Sequence, residues 1–253
     1  MARDILITGG GTGIGRALTR HFTEAGDRVV VTGRRQDPLT AVARETGARA
    51  VVCDHTDPAA LTALLAELPA TLDVLVNNAG GNTDFTEADA DAGTGPGPDL
   101  RGTAAELASR ARAFRANLDA NLLTAVLTTL AVGERLTPGG AVVQIGSIAA
   151  DQGAGSYGAA KAALTSWNLD LATELGARDI TANVVSPGYT RETEFFRDRL
   201  TDTRREQLVS ATATGRAGTP EDIAATVAFL TSPGARHITG QVLHVNGGAH
   251  RTR

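Results

Sequence analysis

Thr8-Gly9-Gly10-Gly11-Thr12-Gly13-Ile14-Gly15 is the stretch on which the reading of the fold turns. It follows Ile5-Leu6-Ile7, a short apolar run, and opens a segment where Ile14, Leu18 and Phe22 recur every four residues, one face of a helix. A strand therefore feeds a helix through a glycine-rich turn. Glycine permits the tight corner and lets the backbone approach an anion at the helix N-terminus, where unpaired N–H groups and the helix dipole favour negative charge. Alone, such a cluster is only a sharp corner. Within a strand–helix–strand unit it predicts a dinucleotide site.

Outward from this unit the alternation continues. Strands are predicted at residues 4–8, 28–32, 49–53, 74–77, 141–145, 181–185 and 241–245. Helices are predicted at 14–25, closed by Gly26, and at 38–46, 58–68, 104–136, 156–176 and 220–230. Asp57-Pro58 and Thr219-Pro220 each read as an N-cap followed by proline at the first helical position. The strands carry Val and Ile on both faces, as a parallel sheet covered on both sides requires. The expected fold class is α/β: one domain over residues 1–253, a doubly wound, Rossmann-type, seven-stranded parallel sheet with helices on both faces. Two stretches break the pattern. Residues 87–102 (EADADAGTGPGPDLRG) predict a flexible insertion. Residues 190–218, polar with Phe195, Phe196, Leu200 and Leu208 interspersed, predict a substrate flap of one or two short helices.

Composition narrows the function classes. A chain of 253 residues buries about three quarters of its unfolded surface. The net charge is -4 and the arginines are spread along the chain, so no nucleic acid is expected as partner. Cys53 is the lone cysteine, which rules out an intrachain disulfide and makes a reducing compartment the default. No leader pattern is seen and no run is expected to match a bilayer, so a soluble, cytoplasmic protein is predicted. His21, His55, His237, His244 and His250 show no metal-ligand spacing, and no metal is expected.

The chemistry centres on Tyr157 and Lys161, which lie four residues apart and so share one face of a helix. Lys161 is the only lysine in the chain; the other basic residues are arginine. Hydride delivery to a ketone leaves a developing alkoxide that needs a proton and a polar cradle. An ammonium about 4–5 Å from a phenol in a partly dry cleft stabilises the phenolate, by roughly two or three pKa units. Tyr157 is thus expected as the proton donor, tuned toward working pH by Lys161. Ser147 ends the fifth predicted strand, where open α/β sheets bind their ligands, and its hydroxyl suits a carbonyl oxygen.

The spacing T-G-x-x-x-G-x-G, Asn77-Asn78-Ala79-Gly80 after the fourth strand, Tyr157-x-x-x-Lys161 and Asn246-Gly247-Gly248 occur in order along nearly the whole chain. The sequence resembles the classical short-chain dehydrogenase/reductases, and among them the 3-oxoacyl-carrier-protein reductases and polyketide ketoreductases. That resemblance implies a tetrad of Asn121, Ser147, Tyr157 and Lys161, with Asn117 competing for the asparagine role. It implies a nicotinamide cofactor held by Thr8, Gly9, Gly11, Thr12, Gly13, Ile14 and Gly15, with Asn78, Ala79 and Gly80 alongside and Tyr157 and Lys161 at the ribose. Asp54 would receive the adenine amino group, with His55 beside it. Pro187, Gly188 and Thr190 would cover the nicotinamide. Where NAD-binding relatives carry an acidic residue after the second strand, this chain has Gly33 followed by Arg34 and Arg35, a guanidinium pair suited to a 2′-phosphate. NADPH is therefore expected over NADH, although Thr12 stands where many NADPH-using relatives have a further basic residue.

The expected activity is NADPH-dependent reduction of a small-molecule ketone, of 3-oxoacyl or polyketide-like type, by a homotetramer. Arg178 matches one basic residue used against an acidic carrier protein, but Pro138 occupies the other such position. Arg110, Arg112 and Arg115 offer a different anionic contact or simply a solvated helix face. Ser147 and Tyr157 are 10 residues apart, fewer than in many relatives, whereas Gly80 and Asn121 are 41 apart, more than usual. An NAD-dependent alcohol dehydrogenase working oxidatively is the alternative within enzymes. A non-catalytic dinucleotide-binding regulator on the same fold is the alternative outside them.

Overall fold

The computed structural model describes residues 2–85, 102–196 and 199–252. The predicted insertion at 87–102 lies, but for Gly102, outside the described residues.

All seven expected strands form, as β1 (Asp4–Thr8), β2 (Arg28–Gly33), β3 (Arg49–Val52), β4 (Leu72–Asn77), β5 (Leu136–Ile145), β6 (Thr181–Pro187) and β7 (Val242–Val245). They make one parallel sheet in the order β3-β2-β1-β4-β5-β6-β7. Alternate residues of each strand serve opposite faces. Ile5 and Ile7 join Leu18 and Phe22 of α1 (Gly13–Glu24), Leu39 of α2 (Gln36–Thr46) and Ile223 and Val227 of α9 (Pro220–Leu230) in one core layer. Leu6 faces the other way, toward Leu61 and Leu64 of α3 (Pro58–Glu67), Val132 of α5 (Thr124–Val132) and Leu171 and Leu175 of α7 (Gly155–Gly176). This is why the strands read as continuous apolar runs. The order reverses at β1, which lies between β2 and β4. The crevice beyond the carboxyl ends of these strands is the place where such sheets bind ligands.

Three departures from expectation have local causes. The helix predicted at 104–136 is interrupted: α4 (Ala104–Leu118) passes through a π turn at Asp119–Leu123 into α5, and Gly133–Arg135 form a 3₁₀ turn. β5 then begins at Leu136, paired with Leu72, and its register shifts before Val74 meets Ala141. The Thr137-Pro138-Gly139-Gly140 segment accommodates that shift, so β5 begins five residues before the strand predicted at 141–145. Contrary to expectation, Ala104–Arg135 is long and apolar enough, by length and composition, to cross a bilayer. Here it docks on the sheet by its polar side chains, Asn77 donating to Thr129 Oγ1 at 2.9 Å and His55 bonding Thr128. A short α6 (Ala149–Gln152) precedes α7, and α8 (Asp202–Ser210) supplies the helix expected in residues 190–218.

Candidate active site

The glycine turn is laced to the end of β4. Thr8 Oγ1 accepts the N–H groups of Asn78 and Ala79 at 3.0 and 2.9 Å. Asn78 Nδ2 donates back to the carbonyls of Thr8 and Gly9 at 3.0 and 2.9 Å. Asn78 is thus spent on shaping the turn. Gly9 has φ +65°, and a Cβ on Gly15 would run into the Gly9 carbonyl oxygen, so the first turn of α1 lies directly against the corner. Thr12, the N-cap of α1, makes no side-chain capping bond, and the first turn holds no acidic residue. The first turn of α1 thus leaves backbone N–H groups without a side-chain cap or a competing acid, as a pyrophosphate requires. These residues fit a dinucleotide.

Around this cradle the expected contacts divide. Arg34 and Arg35 follow β2 and are exposed; Arg35 Nη2 meets Glu194 Oε2 at 2.5 Å. Asp54 Oδ1 accepts the backbone N–H and hydroxyl of Thr56 at 2.9 and 2.7 Å. These bonds, with Arg34 nearby, hold its carboxyl below the usual range. Oδ2 takes no part in either bond. His55, expected beside the adenine, instead turns its ring into the protein, between Thr32 Oγ1 and Thr128 Oγ1, both at 2.7 Å. Burial drives its pKa down to about 4. Its side chain joins β2 to α5 and is not offered to a ligand. Pro187 and Gly188 end β6 beside the residue after Ser147, whose backbone N–H (Ile148) bonds the Pro187 carbonyl at 3.1 Å. Thr190 is buried, its hydroxyl donating to the Gly188 carbonyl at 3.2 Å.

Tyr157 stands on the first turn of α7. The chain reaches it through Gly153, Ala154 and Gly155, all with positive φ, the last two at +70° and +60°. A Cβ on Gly158 would strike the Gly153 carbonyl, so only glycine lets this corner close on the helix. Ser147 lies beside the Tyr157 hydroxyl and itself accepts the Ala149 N–H at 3.2 Å. Lys161 is buried one turn on; its Nζ donates to the Ile145 carbonyl at 2.8 Å and sits 5.9 Å from the centre of the Tyr157 ring.

The expected direction of the tyrosine shift is overturned. Burial pushes Tyr157 up to about 12, and the neighbouring Ser147 hydroxyl only partly opposes it. Lys161 is itself pulled down to about 8 by loss of water. The ammonium is turned toward the end of β5, and in so dry a site desolvation of the phenolate dominates the Tyr157 shift.

Asn121 lies in the π turn. Its Nδ2 donates to the carbonyls of Gly81 and Asn117, and its Oδ1 accepts the Gly81 N–H at 3.0 Å. It fixes the Ala79–Gly81 backbone against the long helix. Asn117 serves a different contact, its Nδ2 donating to Asp84 Oδ1 at 2.8 Å and to Ser156 Oγ at 2.9 Å. Ser156 Oγ in turn meets both Asp84 oxygens at 2.8 Å. This triangle holds the residue next to Tyr157 and was missed in the sequence, where Asp84 is one more acid beside an acidic loop.

The segment at 190–218 crosses the site. Phe195 packs on Tyr157 with centroids 5.3 Å apart, and Phe196 bridges Phe195 and Tyr189. Thr193 faces Gly13 of the glycine turn. Its base is fastened where Arg191 N–H bonds the Gly218 carbonyl at 2.9 Å.

A family profile described as Enoyl-(Acyl carrier protein) reductase matches residues 9–250. The chain is 33% identical over 257 residues to the 3-oxoacyl-[acyl-carrier-protein] reductase FabG of Escherichia coli, covering 97% of this chain and 96% of that one. A short-chain type dehydrogenase/reductase from Mycobacterium ulcerans superposes with TM-score 0.83 at 27% identity, over 98% of this chain and 89% of the other. A blue fluorescent protein from a metagenomic library, solved with NADPH, does so with TM-score 0.82 at 29% identity, over 98% of each chain. With the tyrosine, lysine and serine gathered beside a glycine cradle, the chain belongs to the short-chain dehydrogenase/reductase family of oxidoreductases.

Proposed function

We propose that the chain is a cytoplasmic, NADPH-dependent reductase of a small-molecule ketone, with Tyr157 as proton donor. The observation that carries this reading is the buried Tyr157 beside Ser147, with the buried Lys161 one helical turn behind it. A reduced nicotinamide, when bound, supplies the hydride. The N-terminus of α1 counters the pyrophosphate charge, and Arg34 and Arg35 receive the 2′-phosphate. Arg35 must then leave Glu194, which costs little, because both side chains are more than half exposed and such pairs contribute about 0–1 kcal/mol. Ser147 Oγ donates to the carbonyl oxygen and Tyr157 O–H passes its proton to the same atom. Lys161, charged below about pH 8, eases that proton's departure.

The substrate class follows from the likeness to FabG and from the apolar wall of Phe195, Phe196 and Tyr189: a 3-oxoacyl or polyketide-like ketone. Arg178 is a poor handle for a carrier protein, since its Nη2 is bonded to the Leu136 carbonyl at 2.9 Å. A free ketone or thioester is therefore preferred as substrate. The assembly proposed is a homotetramer joined through the long helices and β7. The test is nicotinamide oxidation against β-ketoacyl thioesters, aromatic polyketide-like ketones and simple ketones, with each cofactor. We expect kcat/KM to favour NADPH and the larger ketones; equal values with NADH would overturn the cofactor assignment.

A further inference from the structure

Two histidines and an aspartate distant in sequence meet at the carboxyl edge of the sheet. His244 belongs to β7. Beyond it the chain reverses through Gly247 and Gly248, with φ +60° and +82°. Asn246 pins the return, its Oδ1 accepting the Gly248 N–H and its Nδ2 donating to the His250 carbonyl, both at 2.9 Å. The reversal stands the His250 ring edge-on to His244, centroids 5.3 Å apart. Asp151 of α6 completes the group. Its Oδ2 lies 3.5 Å from His250 Nε2 and 3.9 Å from His244 Nε2, and one donor atom from each residue lies within 4.8 Å of the others.

Neither nitrogen–oxygen distance makes a good hydrogen bond. Among the described residues, His250 Nε2 and His244 Nδ1 are shut off from solvent with no hydrogen-bond partner, an arrangement that costs free energy unless something else satisfies it. The spacing suits ligands of one ion. Around a tetrahedral centre with bonds of roughly 2.1 Å, donor atoms stand about 3.4 Å apart.

We propose that Asp151, His244 and His250 bind a divalent transition-metal ion of the zinc type. Two imidazole nitrogens and a carboxylate select such an ion over magnesium or calcium, and three protein ligands leave a fourth position for water or a substrate oxygen. Asp151 lies between Ser147 and Tyr157 in sequence. The ion thus ties the shortened segment beside the cleft to β7 and to the tail after Asn246. No sequence spacing announces the site, because the sheet brings its members together from positions 151, 244 and 250.

The test uses the whole chain, stripped with a chelator and titrated with zinc chloride by calorimetry. We expect one zinc ion per chain, no comparable heat with magnesium, and a melting temperature raised by zinc. His250→Gln and Asp151→Asn should each weaken zinc binding by at least about tenfold, while His237→Gln leaves it intact. Unchanged melting of the stripped variants shows that the fold survives the substitutions. Absence of stoichiometric zinc binding overturns the proposal, as does binding undiminished in both ligand variants.

Discussion

Burying a phenol raises its pKa because the phenolate loses its water, and at Tyr157 that penalty exceeds what the neighbouring Ser147 hydroxyl returns. The group therefore holds its proton far above neutrality, while Lys161 loses its charge near 8. Ketone reduction uses both groups protonated. Its kcat/KM should stay level below about pH 8 and fall above it, which a pH–rate profile will reveal. Tyr157→Phe removes the transferable proton and leaves the cradle untouched. Turnover should drop by roughly 10²–10⁴-fold while NADPH binding, followed by fluorescence, is unaltered; near-normal turnover would exclude this proton donor. His55 governs a different pH response. Thr128 Oγ1 donates to the Thr124 carbonyl at 2.6 Å, so it must accept from His55 Nδ1–H, leaving Nε2 to accept from Thr32. The Thr32 bond needs the neutral ring, because protonation takes away the Nε2 acceptor. An unfolded chain takes up this proton near 6.5, the folded one only near 4, so stability rises with pH across that window. Acidification through it should cost roughly 3 kcal/mol, and His55→Gln should flatten the pH dependence of the urea midpoint.

At the scale of elements, the glycine turn and the flap make separable demands. Alanine at Gly15 would collide with the Gly9 carbonyl and push α1 from the corner it completes. Gly15→Ala should lower stability by about 1–3 kcal/mol, read by denaturant melts, and weaken binding of NADPH and NADH alike. Glu194→Gln acts on one cofactor only. It releases Arg35 from the flap, so KM for NADPH should fall by no more than about fivefold and KM for NADH should hold. An equal fall for both would mean that the flap, and not Arg35, had been freed. The elements themselves were largely legible in the sequence. The strands are apolar on both faces, and the caps at Asp57 and Thr219 bond as their residue types require. The π turn was not legible, since one extra residue in a helix leaves no mark on an alanine- and leucine-rich pattern. Tyr157, Lys161 and Ser147 were readable from spacing and strand position. The inward turn of His55 and the upward shift of Tyr157 were not, because both depend on which neighbours exclude water in three dimensions.

Across the whole molecule, apolar surface concentrates on the long helices. Leu107 and Phe114 of α4 are 58% and 46% exposed, Leu130 of α5 67% and Leu169 of α7 56%. Scattered exposed leucines need no explanation, but Leu107 and Phe114 share a stripe, being seven residues apart, and α4 packs beside α7. β7 ends the sheet, and a free edge strand invites pairing. Two such surfaces per chain, one on the helices and one at β7, are what a dihedral tetramer uses. α7 also carries Tyr157 and Lys161, so a partner packed on its outer face would steady the helix that holds the proposed proton donor. Light scattering should return four times the chain mass. The double variant Phe114→Glu, Leu130→Glu should break the helical interface alone, giving dimers held through β7 with a lower melting temperature. A wild-type monomer at assay concentration would refute the assembly, and an intact tetramer in the double variant would move the interface off these helices.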